Sequence, residues 1–268
     1  MPRARINGIE LYYEVHGAGE PLLLIAGLGF GVWSWFRQIP DLSQHFRIVA
    51  FDNRGAGLSE KPDCEYTIGM MAEDAVELLR ALGVARAHVL GHSMGGYIAQ
   101  EVALRHPDVV STLILVSTSF GGKNAVLMSP ETAMQMRSEL EAEDREAALR
   151  RGLPLRFSNR FLAEHPEIVE EFLARRKAHL PPAYAWQRQF AACLTFETES
   201  RLSSLTVPTL IVTGSDDPIV PSENSLRLAR VIPNARLVLF PEARHLVFIE
   251  RAEEFNRLVI EFAKGGER

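Results

Sequence analysis

The chain has 268 residues, 47% apolar and 24% charged, with a formal net charge of −5. That length supports a self-sufficient core, since chains of this size bury roughly 75% of their unfolded surface. The mildly acidic, interspersed charge argues against nucleic acid or an anionic membrane surface as a partner, and no apolar run reaches the roughly 18 residues of a membrane span.

The opening stretch MPRARINGIELYYEVHG has no apolar segment of the secretory kind. Cys64 and Cys193 stand far apart and in no metal-ligand spacing. They read as free thiols, which sets a cytoplasmic protein without metal or cofactor as the expectation. GIELYYEVHG alternates apolar and polar residues and ends in HGAGE, predicting a strand and a hairpin turn. PLLLIAG is a short continuous apolar run, the mark of a strand buried on both faces of a parallel sheet, and FRIVAFD is another after the helix-like WFRQIPDLSQH. TIGMMAEDAVELLRALGV places Met71, Ala75, Leu78, Leu79 and Leu82 at helical spacing, with Gly83 as the stop. AHVLG and STLILVST predict two further buried strands around the helix MGGYIAQEVALRHP.

Residues 121–205 then carry no strand signal, only charged stretches of helical period such as SPETAMQMRSELEAEDREAALRRG and HPEIVEEFLARRKAH. TVPTLIVTG and ARLVLFPEA resume the strands, and RAEEFNRLVIEFAK is a closing helix. The alternation predicts an α/β fold, a mostly parallel central sheet of about eight strands flanked by helices. Because strands resume after the helical block, residues 1–120 and 206–268 read as one core and 121–205 as an inserted helical cap. Such insertions belong at the carboxyl ends of strands, where ligands bind.

The chemistry gathers around VLGHSMGG, which holds Ser93 between Gly91 and Gly95. A G-x-S-x-G turn from strand to helix is so tight that side chains two residues either side of the serine would clash, and it exposes the hydroxyl. A chance glycine-rich turn is the rival reading, and the strand before and helix after favour the nucleophile. A serine needs a base to take its proton. His16, His45, His106, His165 and His179 fall on turns, helix ends or charged stretches; His88 leads into the strand, and the His92 side chain is expected to leave away from its neighbour Ser93. His245, in the loop after the last strand, is the candidate base. GSDDPIVP, after the preceding strand, offers the orienting carboxylate as Asp216 or Asp217, and either also fits an ordinary turn before proline. Backbone N–H groups of Met94 and of Leu28, in the glycine-rich AGLGFG, are the candidate oxyanion donors. AGLGFG has the wrong spacing for a dinucleotide loop.

These segments together resemble the α/β-hydrolase superfamily, and among it the smaller capped serine esterases and lactonases. GHSMGG is similar to its nucleophile elbow, FDNRGAGLSEKP to its structural D-x-R-G-x-G-x-S segment, and RHLVFIERAEEFNRLVIEF to its terminal histidine and helix. GSDDPIVP resembles its G-x-x-D-x-x-x-P acid loop, a register that puts the acid on Asp217. The resemblance implies a Ser93, Asp217, His245 triad and hydrolysis of a small or medium carboxylic ester or lactone. It departs from the family's common pattern at Ala26-Gly27, where His-Gly is frequent, and at Arg244, where glycine often precedes the histidine. Ser93 argues against the aspartate-nucleophile dehalogenases and epoxide hydrolases, and His92 stands where carbon–carbon bond hydrolases often carry asparagine. A carbon–carbon hydrolase or lyase on the same triad, or a ligand receptor in a hydrolase shell, are the alternatives. Trp33, Phe157, Phe161 and Trp186 are candidate substrate-binding aromatics, alongside Trp35, Phe172, Tyr184 and Phe190; packing of cap on core is the competing role for each.

Overall fold

The computed structural model describes residues 2–265. Its first feature is a hairpin: β1 (Arg3–Ile6) pairs antiparallel with β2 (Ile9–His16) across Asn7 and Gly8, at φ 48° and 84°. Asn-Gly is the pair that suits a turn with two positive φ values, so the eighth strand lies in RINGIE. The hairpin expected at HGAGE does not form. β2 runs instead beside β4 (Arg47–Phe51), antiparallel, and β3 (Pro21–Ile25) lies on the far side of β4 and parallel to it. Gly17, at φ 71°, lets the chain turn over the edge there, where a side chain would collide with Ser43 O.

β5 (Ala87–His92), β6 (Val110–Val116), β7 (Thr209–Gly214) and β8 (Ala235–Phe240) extend the sheet in parallel, giving the order β1-β2-β4-β3-β5-β6-β7-β8. The connections are α1 (Ile39–Leu42), α2 (Ile68–Ala81) and α3 (Met94–Arg105). Between β6 and β7 the chain folds as α4 (Pro130–Glu141), α5 (Arg145–Arg151), α6 (Leu153–Arg156), α7 (Asn159–Glu164), α8 (Pro166–Ala178) and α9 (Ala183–Leu194). α10 (Glu223–Val231), α11 (Val247–Glu250) and α12 (Ala252–Ala263) complete the chain. Among the described residues no helix is long and apolar enough to cross a membrane.

Successive strand side chains point to opposite faces, and both faces are covered. Leu23, Ile25, Val49, Val89 and Leu113 pack with Leu78 of α2, Ile98 of α3 and Leu228 of α10. Leu22, Leu24, Ile48, Leu90 and Ile114 pack on the other side with Trp35, Phe248 and Val259. Burial on both faces is why these strands read as unbroken apolar runs. α2 starts where Thr67 Oγ1 accepts the Met70 N–H at 3.0 Å and stops ahead of Gly83, at φ 67°. The α4–α9 segment joins the second apolar cluster through Phe157, Phe161 and Phe172. The chain entering and the chain leaving this segment meet at an isolated β-bridge between Gly121 and Glu197.

Candidate active site

Ser93 sits between the end of β5 and the first turn of α3 with φ 54° and ψ −120°, a backbone region that costs a non-glycine residue about 1–3 kcal/mol. Its surroundings hold it there. The Ser93 N–H donates to Val116 O at 2.9 Å, and Thr118 Oγ1 donates to Ser93 O at 2.8 Å. A side chain at Gly91 would collide with Gly95 O, and one at Gly95 with Ile25 O. The glycines are therefore demanded by backbone closeness rather than by flexibility. Met94 is the first residue of α3, where a backbone N–H has no partner within the helix.

The loop after β3 supplies the facing wall. Phe30 N–H donates to Gly27 O at 3.1 Å, and Gly29 lies at φ 68° in the turn this closes. The Gly29 N–H donates at 2.9 Å to Oε1 of Gln189, a buried side chain of α9 whose Nε2 donates to Arg54 O at 2.7 Å. Behind the loop, FDNRGAGLSEKP acts as a brace, the structural role expected of it. Asp52 accepts Val32 N–H at 2.7 Å and Leu58 N–H at 2.6 Å, Asn53 Nδ2 donates to Ala26 O at 3.0 Å, and Arg54 pairs with buried Asp74 at 2.6 and 2.8 Å. Burial raises the Asp52 pKa, against those two backbone donors.

The two acid candidates part company in the turn after β7. Asp216 is exposed and accepts from Ser215 Oγ at 2.6 Å. Asp217 is buried: Oδ1 accepts Ile219 N–H at 2.8 Å and Val220 N–H at 2.9 Å, and Oδ2 lies 2.8 Å from His245 Nδ1. Nδ1 must donate in that bond, so the neutral ring carries its free electron pair on Nε2. Arg244, the departure beside the histidine, donates its guanidinium to Pro154 O, and Leu246 N–H donates to Arg156 O at 3.0 Å. Both bonds tie the histidine loop to the segment between β6 and β7.

His92 departs from its expected direction. It is 2% exposed, its ring lies against the His245 ring with centroids 4.7 Å apart, and its Nε2 donates to His245 O at 3.2 Å. Burial, reinforced by the neighbouring His245, drives its pKa well below the usual histidine value. A neutral ring there supports His245 without adding a second charge. The position next to the serine was the available signal, since a residue so close to the elbow has little room to avoid the site.

Ser93, Met94, Leu28, His92 and His245 all line one cavity of about 440 Å³, within the range of small-molecule sites. Of the four candidate aromatics, Trp186 lines it, stacked on Phe190 at 5.0 Å. Trp33, Phe157 and Phe161 are not among its lining residues. Phe157 stacks on Phe161 at 5.2 Å and meets Phe172 edge-on at 5.2 Å, and Trp33 lies 5.9 Å from Phe172. Those three serve packing between helical segment and core. Sequence reasoning gave no role to four charged residues that do line the cavity, the exposed Arg145 and the buried Glu139, Arg156 and Arg176. Cys64 and Cys193 form no disulfide.

Residues 20–252 match the family model described as alpha/beta hydrolase fold. A curated relative from Azorhizobium caulinodans, bearing the provisional name carbamate hydrolase RutD, is 34% identical over 262 residues, 98% of each chain. Among solved structures, the enol-lactonase from Burkholderia xenovorans aligns with a TM-score of 0.86 at 29% identity, over 98% of this chain and 100% of that one. A meta-cleavage product hydrolase from Pseudomonas fluorescens aligns with a TM-score of 0.85 at 26% identity, over 99% of this chain and 98% of that one.

Proposed function

Since this chain belongs to the α/β-hydrolase fold family, we propose that it is a serine hydrolase cleaving a small or medium carboxylic ester or lactone. The observation that carries the reading is the 2.8 Å bond between buried Asp217 and His245 beside the cavity that Ser93 also lines. Ser93 Oγ attacks the carbonyl carbon, His245 Nε2 takes its proton, and Asp217 holds the ring tautomer and balances the positive charge that develops. The Met94 and Leu28 N–H groups hold the tetrahedral oxyanion, with Gln189 keeping the Leu28 turn in place. His245 returns its proton to the leaving alcohol, and water then releases the acyl group from Ser93 by the same steps in reverse order. Residues 121–205 serve as the cap that encloses the substrate, and the free cysteines suit a reducing, cytoplasmic setting.

A panel of p-nitrophenyl esters and lactones, run on wild type and Ser93→Ala, tests this. Turnover by wild type that disappears in Ser93→Ala is the expected result; turnover that survives unchanged overturns the nucleophile assignment. If wild type turns over nothing while a small ligand raises its melting temperature, a receptor role replaces the enzyme. The names of relatives favour a second reading, in which the same groups act on a carbamate or a carbon–carbon bond. Adding an aryl carbamate and a vinylogous diketone to the panel separates these scissile bonds by their relative kcat/KM.

A further inference from the structure

The cavity carries a cation that its protein neighbours leave incompletely paired. Arg176, on α8, is 6% exposed, and its Nε and Nη1 are buried with no hydrogen-bond partner among the described residues. Those two nitrogens hold most of a guanidinium's N–H donors. Its nearest opposite charge is Glu139, whose Oε2 is 4.0 Å from Nη2, beyond hydrogen-bond length. Glu139 is committed elsewhere: both its oxygens accept from Arg156, each at 2.8 Å, and that pair is buried too. The Arg156–Glu139 pair thus cancels itself, and of these three buried charges the one left over resides on Arg176. The Arg176 guanidinium lies over the Phe30 ring, 4.7 Å from its centroid, and Phe30 in turn meets His92 at 6.4 Å. One aromatic ring therefore separates the cation from the residue next to Ser93.

Burial, with repulsion from Arg156 and against the pull of Glu139, lowers the Arg176 pKa to about 9. A buried cation whose donors are unsatisfied is costly to a fold unless a ligand completes it. Arginine's planar fork is suited to a carboxylate. Leu149, Leu180 and Trp186, which also line the cavity, offer an apolar stretch to a substrate that reaches both ends.

We infer that Arg176 binds a carboxylate carried by the substrate, so that the preferred substrate is an ester or lactone with a free carboxylate at the other end of a short aliphatic chain. The ester part of this inference rests on the proposed hydrolase reading; the carboxylate site does not. Glu139 sets the charge of the buried part of the subsite: by pairing with Arg156 it leaves the Arg176 guanidinium uncancelled, and Arg145, exposed at the cavity wall, adds to the positive charge that an anionic substrate meets.

The test compares mono-p-nitrophenyl esters of succinate, glutarate and adipate with neutral p-nitrophenyl esters of matched length, on wild type, Arg176→Lys and Arg176→Met. The kcat/KM ratio of carboxylated to neutral ester is expected to fall about 100-fold in Arg176→Met, the scale for truncating one partner of a buried charge pair, and less in Arg176→Lys. Calorimetry of free glutarate binding to Ser93→Ala protein, with and without Arg176→Met, reads the site without turnover. Binding that Arg176→Met abolishes supports the carboxylate site even if wild type cleaves no ester, in which case only the hydrolase reading falls. Ester turnover with no preference for the carboxylated series, or a ratio that Arg176→Met leaves unchanged, overturns the carboxylate site and leaves the hydrolase reading standing. Melting temperatures guard against a folding artefact: a purely structural Arg176 lowers the melting point on change to methionine, whereas an unpaired buried cation held for a ligand does not.

Discussion

Replacing Asp217 by asparagine preserves the shape of the acid loop and inverts one hydrogen bond. The carboxylate accepts the Ile219 and Val220 N–H groups through Oδ1, at 2.8 and 2.9 Å, and meets His245 Nδ1 through Oδ2 at 2.8 Å. Asparagine keeps its oxygen on the two amides, because the flipped form would set its NH2 against two N–H donors. That NH2 then faces His245 Nδ1, which becomes an acceptor, and the ring proton moves to Nε2, the nitrogen that the proposed reaction needs free. Loss of a charge-assisted hydrogen bond alone is worth about 1.5–3 kcal/mol, or roughly 10- to 150-fold in rate. The wrong tautomer adds to this, and triads elsewhere lose about 10⁴-fold in kcat on the same change. The expected result is therefore a kcat reduced about 10⁴-fold on a p-nitrophenyl ester. Asp216→Asn, on an exposed side chain, stays within about twofold of wild type, the span of an ordinary surface change. A larger loss in Asp216→Asn, or an Asp217→Asn variant keeping more than about a tenth of the wild-type kcat, would refute the assignment.

Two further substitutions separate stability from substrate choice. Gly95→Ala places a methyl group in collision with Ile25 O and 2.8 Å from Ala26 O; backbone atoms do not yield, so urea denaturation should show a loss above about 3 kcal/mol, and an unchanged midpoint would contradict the packing described. Phe157→Ala removes a fully buried ring from the cluster with Phe161 and Phe172: stability should fall by about 3–5 kcal/mol while the ranking of acyl chain lengths stays as in wild type. Trp186→Ala, in the cavity wall, should do the reverse and alter that ranking, as read from KM across an ester series.

The sheet was readable because parallel strands buried on both faces show as unbroken apolar runs, and the elbow because backbone crowding at Gly91 and Gly95 excludes every other residue. What escaped depends on tertiary surroundings. Asp216 and Asp217 are the same residue type in the same turn, and only the fold makes one exposed and the other an acceptor of two backbone amides. Arg175 and Arg176 are likewise neighbours in a charged helix, yet Arg175 pairs with Glu171 at the surface while Arg176 enters the cavity. The helical segment carries aromatics on several short helices, and periodicity gives each a buried face without saying whether core or cavity lies beyond it. RINGIE was a different case, since its turn chemistry was present in the residues.

The segment between β6 and β7 touches the proposed chemistry at more than the cavity wall. Through Gln189 it holds the turn that presents the Leu28 N–H, and through Arg156 O and Pro154 O it holds the loop that presents His245. A third tie, from Val126 N–H to Asn224 Oδ1 at 2.8 Å and from Asn224 Nδ2 to Val126 O at 2.8 Å, fixes the start of the segment to α10. The proposed oxyanion donor and base are thus tied to the same segment that carries Arg176 and Trp186. A ligand that completes Arg176 acts on α8, one short turn of chain from the α9 helix bearing Gln189. On the proposed mechanism, binding energy gained far from the scissile bond then reaches the groups assigned to the transition state, the condition under which remote contacts raise kcat rather than only lowering KM.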